Sequence, residues 1–424
     1  MPTRETSDVI VIGAGMAGAA CAYYAALAGL SVTVVDRGSV AGGTTGAGEG
    51  NLLVSDKEPG PELELALLSL ALWTELADQR GGARLRGGYG ERDRRGERGG
   101  GDERGRGERR VRGARPPLPP SVEYEAKGGL VVASDTPGLH ALRTFAARQE
   151  KAGVHAREVP ADRLHDLEPH LAPDLAGGFH YPQDAQVMPA RAAAHLLGVA
   201  GDRVRLALGE EVTGILTGTG GAVRGVRTAT RELHAPQVVN AAGTWGGAVA
   251  ALAGADLPVL PRRGFVLVTE PLPRVVRHKV YAADYVADVA SGSAGLQASA
   301  VVEGTPAGPV LIGASRERVG FDRSLSIEAL RRLAAGATAL FPVLGTVRAL
   351  RTYLGFRPYL PDHLPAIGPD PRVPGLLHAC GHEGAGIGLA PATGRIVADC
   401  LTGAEPPLDI HPFRPDRFTA PAAV

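Results

Sequence analysis

Three glycines and one acid near the start of the chain have the types and spacing that handle a dinucleotide. Gly13, Gly15 and Gly18 follow the apolar run Asp-Val-Ile-Val-Ile at 8–12, and Asp36 ends the β-branched run at 31–36, 21 residues beyond Gly15. Glycines let a backbone turn tightly and approach a pyrophosphate, whose charge the N-terminus of the next helix stabilises. Met16 and Ala17 open that helix, and Asp36, with Arg37 beside it, stands where ribose hydroxyls would be met. A carboxylate there disfavours a 2′-phosphate, so FAD or NAD is expected rather than NADP. A bare strand–helix turn would use the same glycines but has no use for the acid.

A second constellation separates those two nucleotides. Residues 376–399 read as strand, glycine-rich turn and helix, with Gly384, Gly386, Ile387 and Gly388 in or just after the turn. An NAD dehydrogenase does not need this element. A flavin does, because a second helix N-terminus can stabilise negative charge on the reduced ring.

The elements that position these residues follow from local pattern. Residues 8–12, 16–30 and 31–36 form a βαβ unit, and 61–79 reads as an amphipathic helix. Residues 81–115 then hold twelve Arg, twelve Gly and six Asp or Glu, closed by prolines up to Pro120. Such a tract cannot bury enough apolar surface to offset its ordering entropy and is expected to be disordered. Residues 122–132 read as a hairpin around Gly128 and Gly129, followed by helices near 138–152 and 189–199. Strands are expected at 204–239, 264–269, 280–286, 296–303 and 310–315, and a helix at 326–340.

The 424 residues, 44% hydrophobic and 21% charged, suit an enzyme-sized globule, and forty-five basic residues balance forty-five acidic ones. That balance gives no whole-chain reason to expect nucleic acid or an anionic membrane as a partner. Cys21, Cys380 and Cys400 form no CxxC pair and no metal-ligand cluster, so no metal site is expected. With no leader before the first strand and no membrane-length apolar run, a cytoplasmic protein without membrane insertion is expected.

Four motifs in order make the chain resemble the D-amino-acid oxidase superfamily of FAD-dependent oxidoreductases. They are the Gly13/Gly15/Gly18/Asp36 set, Val-Val-Asn-Ala-Ala-Gly-Thr-Trp at 238–245, Gly-Phe-Arg-Pro at 355–358, and Gly-His-Glu-Gly-Ala-Gly-Ile-Gly-Leu-Ala-Pro at 381–391. The tract at 81–120 matches nothing in that family. The resemblance implies an α/β fold: a Rossmann-like FAD-binding domain with an interleaved, mainly antiparallel α+β substrate domain. The FAD-binding parts are expected at 1–80, 186–254 and 346–424, the substrate parts at 121–185 and 255–345, and the insertion at 81–120.

The resemblance also implies roles. Ala241, Ala242, Gly243 and Trp245 would lie near FAD, as would the loop from Gly42 to Asn51, in which Thr44, Thr45 and Asn51 supply polar groups. Arg357 would hold a substrate carboxylate through two parallel hydrogen bonds, with Arg262, Arg263 and Arg351 as substitutes, and Tyr285, Tyr353 and His382 would line the pocket. Residues 350–360 contain no cysteine, so FAD is expected to bind noncovalently. The implied reaction is oxidation of the C–N bond of a small amino acid or amine by hydride transfer to flavin N5, with hydrolysis of the imine. The electron acceptor would be oxygen or, favoured here by the runs at 49–56 and 386–394, a partner flavin or iron–sulfur subunit. The alternatives are a catalytically impaired flavoprotein and a protein that interacts through its Arg/Gly tract.

Overall fold

The computed structural model describes residues 6–78, 119, 122–286 and 291–418. Almost all of the Arg/Gly tract, and with it the disorder expected at 81–120, lies outside the described residues. Six strands form one sheet in the order Ala366–Pro369, Leu376–Cys380, Gln237–Asn240, Val9–Ile12, Val32–Asp36 and Val204–Leu208. Every neighbouring pair is parallel except the first. Val9, Ile10 and Val11 are fully buried, as a central parallel strand covered on both faces requires.

Helices Met16–Leu27, Pro189–Val199 and Gly386–Thr402 cover one face of this sheet. Ala19, Ala20 and Ala22 leave the first helix thin enough for close approach by the last. A Cβ on Gly394 would stand 2.5 Å from the Ala20 carbonyl carbon, so no larger residue fits at 394. A three-stranded antiparallel sheet, Val212–Thr217, Val223–Thr228 and Glu232–His234, covers the other face over a core that includes Ile10, Ile12, Val35 and Val226.

The second large sheet has eight strands in the order Ala349–Tyr359, Leu260–Thr269, Val310–Arg316, Gln297–Gly304, Lys279–Ala282, Gly129–Ala133, Gly177–Tyr181 and Arg157–Pro160. It is antiparallel save for the Lys279–Ala282 and Gly129–Ala133 pair. Strand alternation sorts its residues. Phe265 and Leu267 pack with Leu333, Ala337 and Leu340 of helix Ile327–Leu340, while Gly264 and Val266 face a deep groove.

Three expectations need correction. The hairpin around Gly128 and Gly129 does not form: Gly129–Ala133 is a single strand between partners far away in sequence, and Glu125 makes only an isolated bridge to Gln186. Long-range pairing here overrides the local turn signal. The strand expected at 280–286 stops at Ala282, which puts Tyr285 in a helical turn. Finally, Ala349–Tyr359 joins the eight-stranded sheet, paired along its length with Leu260–Thr269, so a division at 346 separates a strand from its sheet.

Among the described residues, no helix is long and apolar enough to cross a membrane, and no cluster of His, Cys, Asp or Glu could hold a metal ion.

Candidate active site

The groove of about 640 Å³ between the two sheets begins at the tips of the parallel strands. Gly13 leaves its strand at φ +111°, and a Cβ on it would meet the Ala241 carbonyl oxygen at 2.4 Å. Gly15 and Met16 start the helix on the groove wall, where the Met16 amide donates to Thr45 Oγ1 at 2.9 Å. Asp36 is fixed at the end of its strand by amides donating to its two oxygens, Ala14 at 2.8 Å and Gly38 at 2.7 Å. A carboxylate has about four acceptor positions, so ribose hydroxyls can still be bound there. Glu49 Oε1 and Asn51 Oδ1 are buried without a hydrogen-bond partner among the described residues, and both residues line the groove. Backbone-lined glycines at one end and waiting polar atoms at the other fit an extended dinucleotide.

Arg37 and Trp245 close the wall from outside. The guanidinium lies 4.1 Å from the indole centroid, and Phe321 stacks at 5.5 Å. Thr44 Oγ1 and Thr244 Oγ1 both donate to the Phe356 carbonyl, each at 2.6 Å, and so pin the Gly-Phe-Arg-Pro strand to the cradle.

At the far end the groove meets a second cavity of about 750 Å³, and Arg357, Tyr285, His382, Glu383 and Gly384 line both. Arg357 Nη1 donates to the Ser315 carbonyl at 2.7 Å. Burial, followed by the field of Arg316, pulls the Arg357 pKa below its ordinary value. Burial pushes the Tyr285 hydroxyl pKa up. His382 Nε2 lies 2.9 Å from Thr393 Oγ1, which itself donates to the Leu389 carbonyl, so the ring is the donor of that pair. Burial lowers the His382 pKa to about 4 and keeps the imidazole neutral. The chamber beyond is walled by residues 56–58, helix Thr136–Glu150 and the 282–286 turn.

Gly13, Gly15, Met16, Ala17, Asp36, Arg37, Thr44, Thr45, Asn51, Ala241, Ala242, Gly243, Trp245, Gly384, Gly386 and Ile387 all line the groove. Three expected residues line neither cavity. Gly18 lies behind the turn, where a Cβ would meet the Gly13 carbonyl oxygen at 1.9 Å. Gly388 turns its carbonyl to Ser69 Oγ and Trp73 Nε1. Tyr353 is on the face that carries Gly355 and Arg357 but lies about 7 Å before Gly355 along the strand, with Arg351 over its ring.

The substitute clamps are already engaged or distant. Arg262 meets Glu383, Gln297 Oε1 and the Ser291 carbonyl, Arg263 meets Glu317 and Asp322, and Arg351 is exposed. Sequence reading missed Val212, Gly264, Thr244 and Arg316. Two of them carried a signal: Thr244 lies inside the motif at 238–245, and Gly264 is a glycine in a strand pattern, which can mark a close approach.

A family model described as FAD dependent oxidoreductase, DAO, matches residues 8–400. The chain belongs to this family. FAD is therefore the cofactor of this protein, which is an FAD-dependent oxidoreductase. It is 29% identical over 436 aligned positions to hydrogen cyanide synthase subunit HcnC of Pseudomonas aeruginosa, covering 99% of each chain. It is 30% identical to glycine oxidase of the same organism, covering 96% of this chain and 98% of that one. Glycine oxidase from Geobacillus kaustophilus shares the fold, with a TM-score of 0.80 at 24% identity over 98% of this chain and all of that one.

Proposed function

We propose that this oxidoreductase acts on the C–N bond of a small amino acid or related amine whose carboxylate is held by Arg357. The observation that carries the proposal is a half-buried guanidinium at the meeting of groove and chamber, with one N–H on the Ser315 carbonyl and no ion pair among the described residues. A planar guanidinium in such a place recognises a carboxylate by paired hydrogen bonds. The relatives named glycine oxidase and hydrogen cyanide synthase subunit support this substrate class.

FAD bound along the groove would supply the two-electron acceptor for oxidation of the C–N bond, and water would hydrolyse the resulting imine. The protein's part is placement. Arg357 fixes the carboxylate, Tyr285 walls the junction, and neutral His382 adds no competing charge. Helix Gly386–Thr402 opens at the groove, and its N-terminus favours negative charge there. FAD binds noncovalently in this reading. No cysteine lines the groove among the described residues, and Cys380 packs against Gly246 with its thiol pKa pushed up to about 12 by burial. The electrons pass to a protein partner rather than to oxygen. HcnC and the matching chain of Escherichia coli anaerobic glycerol-3-phosphate dehydrogenase are both named as parts of larger assemblies, which supports this choice. The setting is cytoplasmic.

The test is anaerobic flavin bleaching by a panel of amino acids and of the matching amines without carboxylates. Arg357→Ala should retain FAD yet lose about 2–5 kcal/mol of affinity for carboxylate substrates, the range for removing one partner of a buried charge pair. Equal bleaching of both proteins by the best amino acid would move the clamp elsewhere, and bleaching only by amines without carboxylates would overturn the substrate class.

A further inference from the structure

The junction contains a second guanidinium that a single carboxylate does not account for. Arg316 ends the Val310–Arg316 strand, is 4% exposed and lines the substrate chamber with Arg357. Its guanidinium carbon lies 4.9 Å from the Tyr285 ring centroid, and its Nη1 is buried without a hydrogen-bond partner among the described residues. The neighbouring arginines differ: Arg262 and Arg263 are each matched by acids and carbonyls.

The two guanidiniums meet because of Gly264. Strand Leu260–Thr269 separates the strand of Arg357 from that of Arg316. A Cβ at Gly264 would stand 2.1 Å from Arg357 Nη1, so the missing side chain is what lets Arg357 cross the strand to the carbonyl of Ser315, next to Arg316. Two like charges lining one junction repel, and the field of Arg316 acts on Arg357 accordingly.

No acid forms an ion pair with Arg316 or Arg357 among the described residues, although the fields of Glu49 and Glu383 reach Arg357. Glu383 is taken by Arg262 and His363, and Asp56 by Lys57. Glu49 forms no ion pair with either arginine, and its Oε1 is unpartnered among the described residues. A monocarboxylate bound at Arg357 leaves one buried positive charge uncompensated, a costly state. The chamber, at about 750 Å³, has room for a longer substrate.

We infer that Arg316 is a specificity residue for a second carboxylate, and that the preferred substrates are amines bearing two carboxylates, one taken by Arg357 and the other by Arg316. The inference rests on the reading of Arg357 as the first clamp.

The experiment uses the FAD-loaded full-length protein and non-oxidisable probes, propionate against malonate, succinate and glutarate, with dissociation constants from the visible flavin spectrum. The best dicarboxylate should bind at least about tenfold tighter than propionate, and Arg316→Gln should bring that ratio close to one. Arg316→Lys should keep part of the preference. In turnover, the kcat/KM ratio of iminodiacetate to sarcosine should fall about tenfold in Arg316→Gln. A wild-type protein that binds dicarboxylates no tighter than propionate overturns the inference, as does an Arg316→Gln ratio equal to wild type. If Arg316→Gln does not fold, the wild-type ratio and Arg316→Lys decide: a preference retained in Arg316→Lys supports a charge-based role, and a ratio of one in wild type ends it. Arg357→Ala should weaken every probe. Propionate binding untouched by that change would mean the first clamp is misplaced, a failure distinct from that of Arg316.

Discussion

The groove and the chamber meet at Arg357 and Tyr285 but are built on opposite principles. The strand-tip end of the groove is made mainly by leaving side chains out: Gly13, Gly15 and Gly43 expose backbone, with Asp36 held by two amides and Arg37 laid on Trp245. The chamber is made by putting charges in, with Arg316, Arg357, Lys57, Asp56 and Glu62 among the residues that line it. In this chain a backbone cradle faces one end of the groove and charged side chains face the chamber. If that division is real, damage to one region should leave the other working.

The largest effect is expected at Gly13. A side chain there adds left-handed strain of about 1–3 kcal/mol to a 2.4 Å approach to the Ala241 carbonyl oxygen. Gly13→Val should therefore purify with little or no flavin, which the ratio of visible to ultraviolet absorbance will show. Full flavin content would break the comparison at its first term.

Gly264→Ala makes the converse cut. Its Cβ would displace Arg357, so carboxylate binding should weaken by about 2 kcal/mol or more, with FAD content falling less than in Gly13→Val. Titration with propionate checks this, and a loss of flavin equal to that in Gly13→Val would show that the regions are not separable.

A further effect sharpens the contrast through pH. Asp184 is buried beneath the chamber wall, accepting from the Val54 amide at 2.9 Å and from the Ser55 hydroxyl, and burial pushes its pKa up to about 7. The folded protein then holds a proton that the unfolded chain releases above its own pKa of about 3.9. The resulting stability is full below about pH 4 and lost as pH rises through 7, at no more than about 1.4 kcal/mol per pH unit. Urea midpoints from pH 5 to 8 should fall in wild type relative to Asp184→Asn, and parallel curves would refute the shift.

The smallest is at the threonine pins. Thr44→Val and Thr244→Val each remove one hydroxyl from the Phe356 carbonyl and should cost about 0.5–1.5 kcal/mol in stability. Their double-mutant cycle should show coupling, because either hydroxyl alone still satisfies that carbonyl.

The same contrast explains what could be read from the chain alone. Gly13, Gly15, Gly18 and Asp36 lie within 24 residues, and their spacing carries its own physical meaning. The motif singled out Arg357, and that residue lines both cavities. Nothing singled out Arg316, because its importance depends on three strands brought together across nearly one hundred positions and on which acids already serve Arg262 and Arg263. Tyr353 had the right strand parity but the wrong height, which periodicity cannot supply. Gly18 and Gly388 belong to their motifs, yet one supports the turn from behind and the other packs on Trp73.

The position of Val9–Ile12 in its sheet has a consequence for how the chain is made. Its two neighbours are Val32–Asp36 and Gln237–Asn240, and Leu376–Cys380 completes that side. A nascent chain leaving the ribosome thus carries its dinucleotide motif exposed for most of translation. The first helix gains its tightest neighbour only when Gly394 reaches Ala20. Loops this long close slowly, so cofactor capture must wait until nearly the whole polypeptide has emerged, and release short of Gly386–Thr402 yields a chain with the motif but without the cradle.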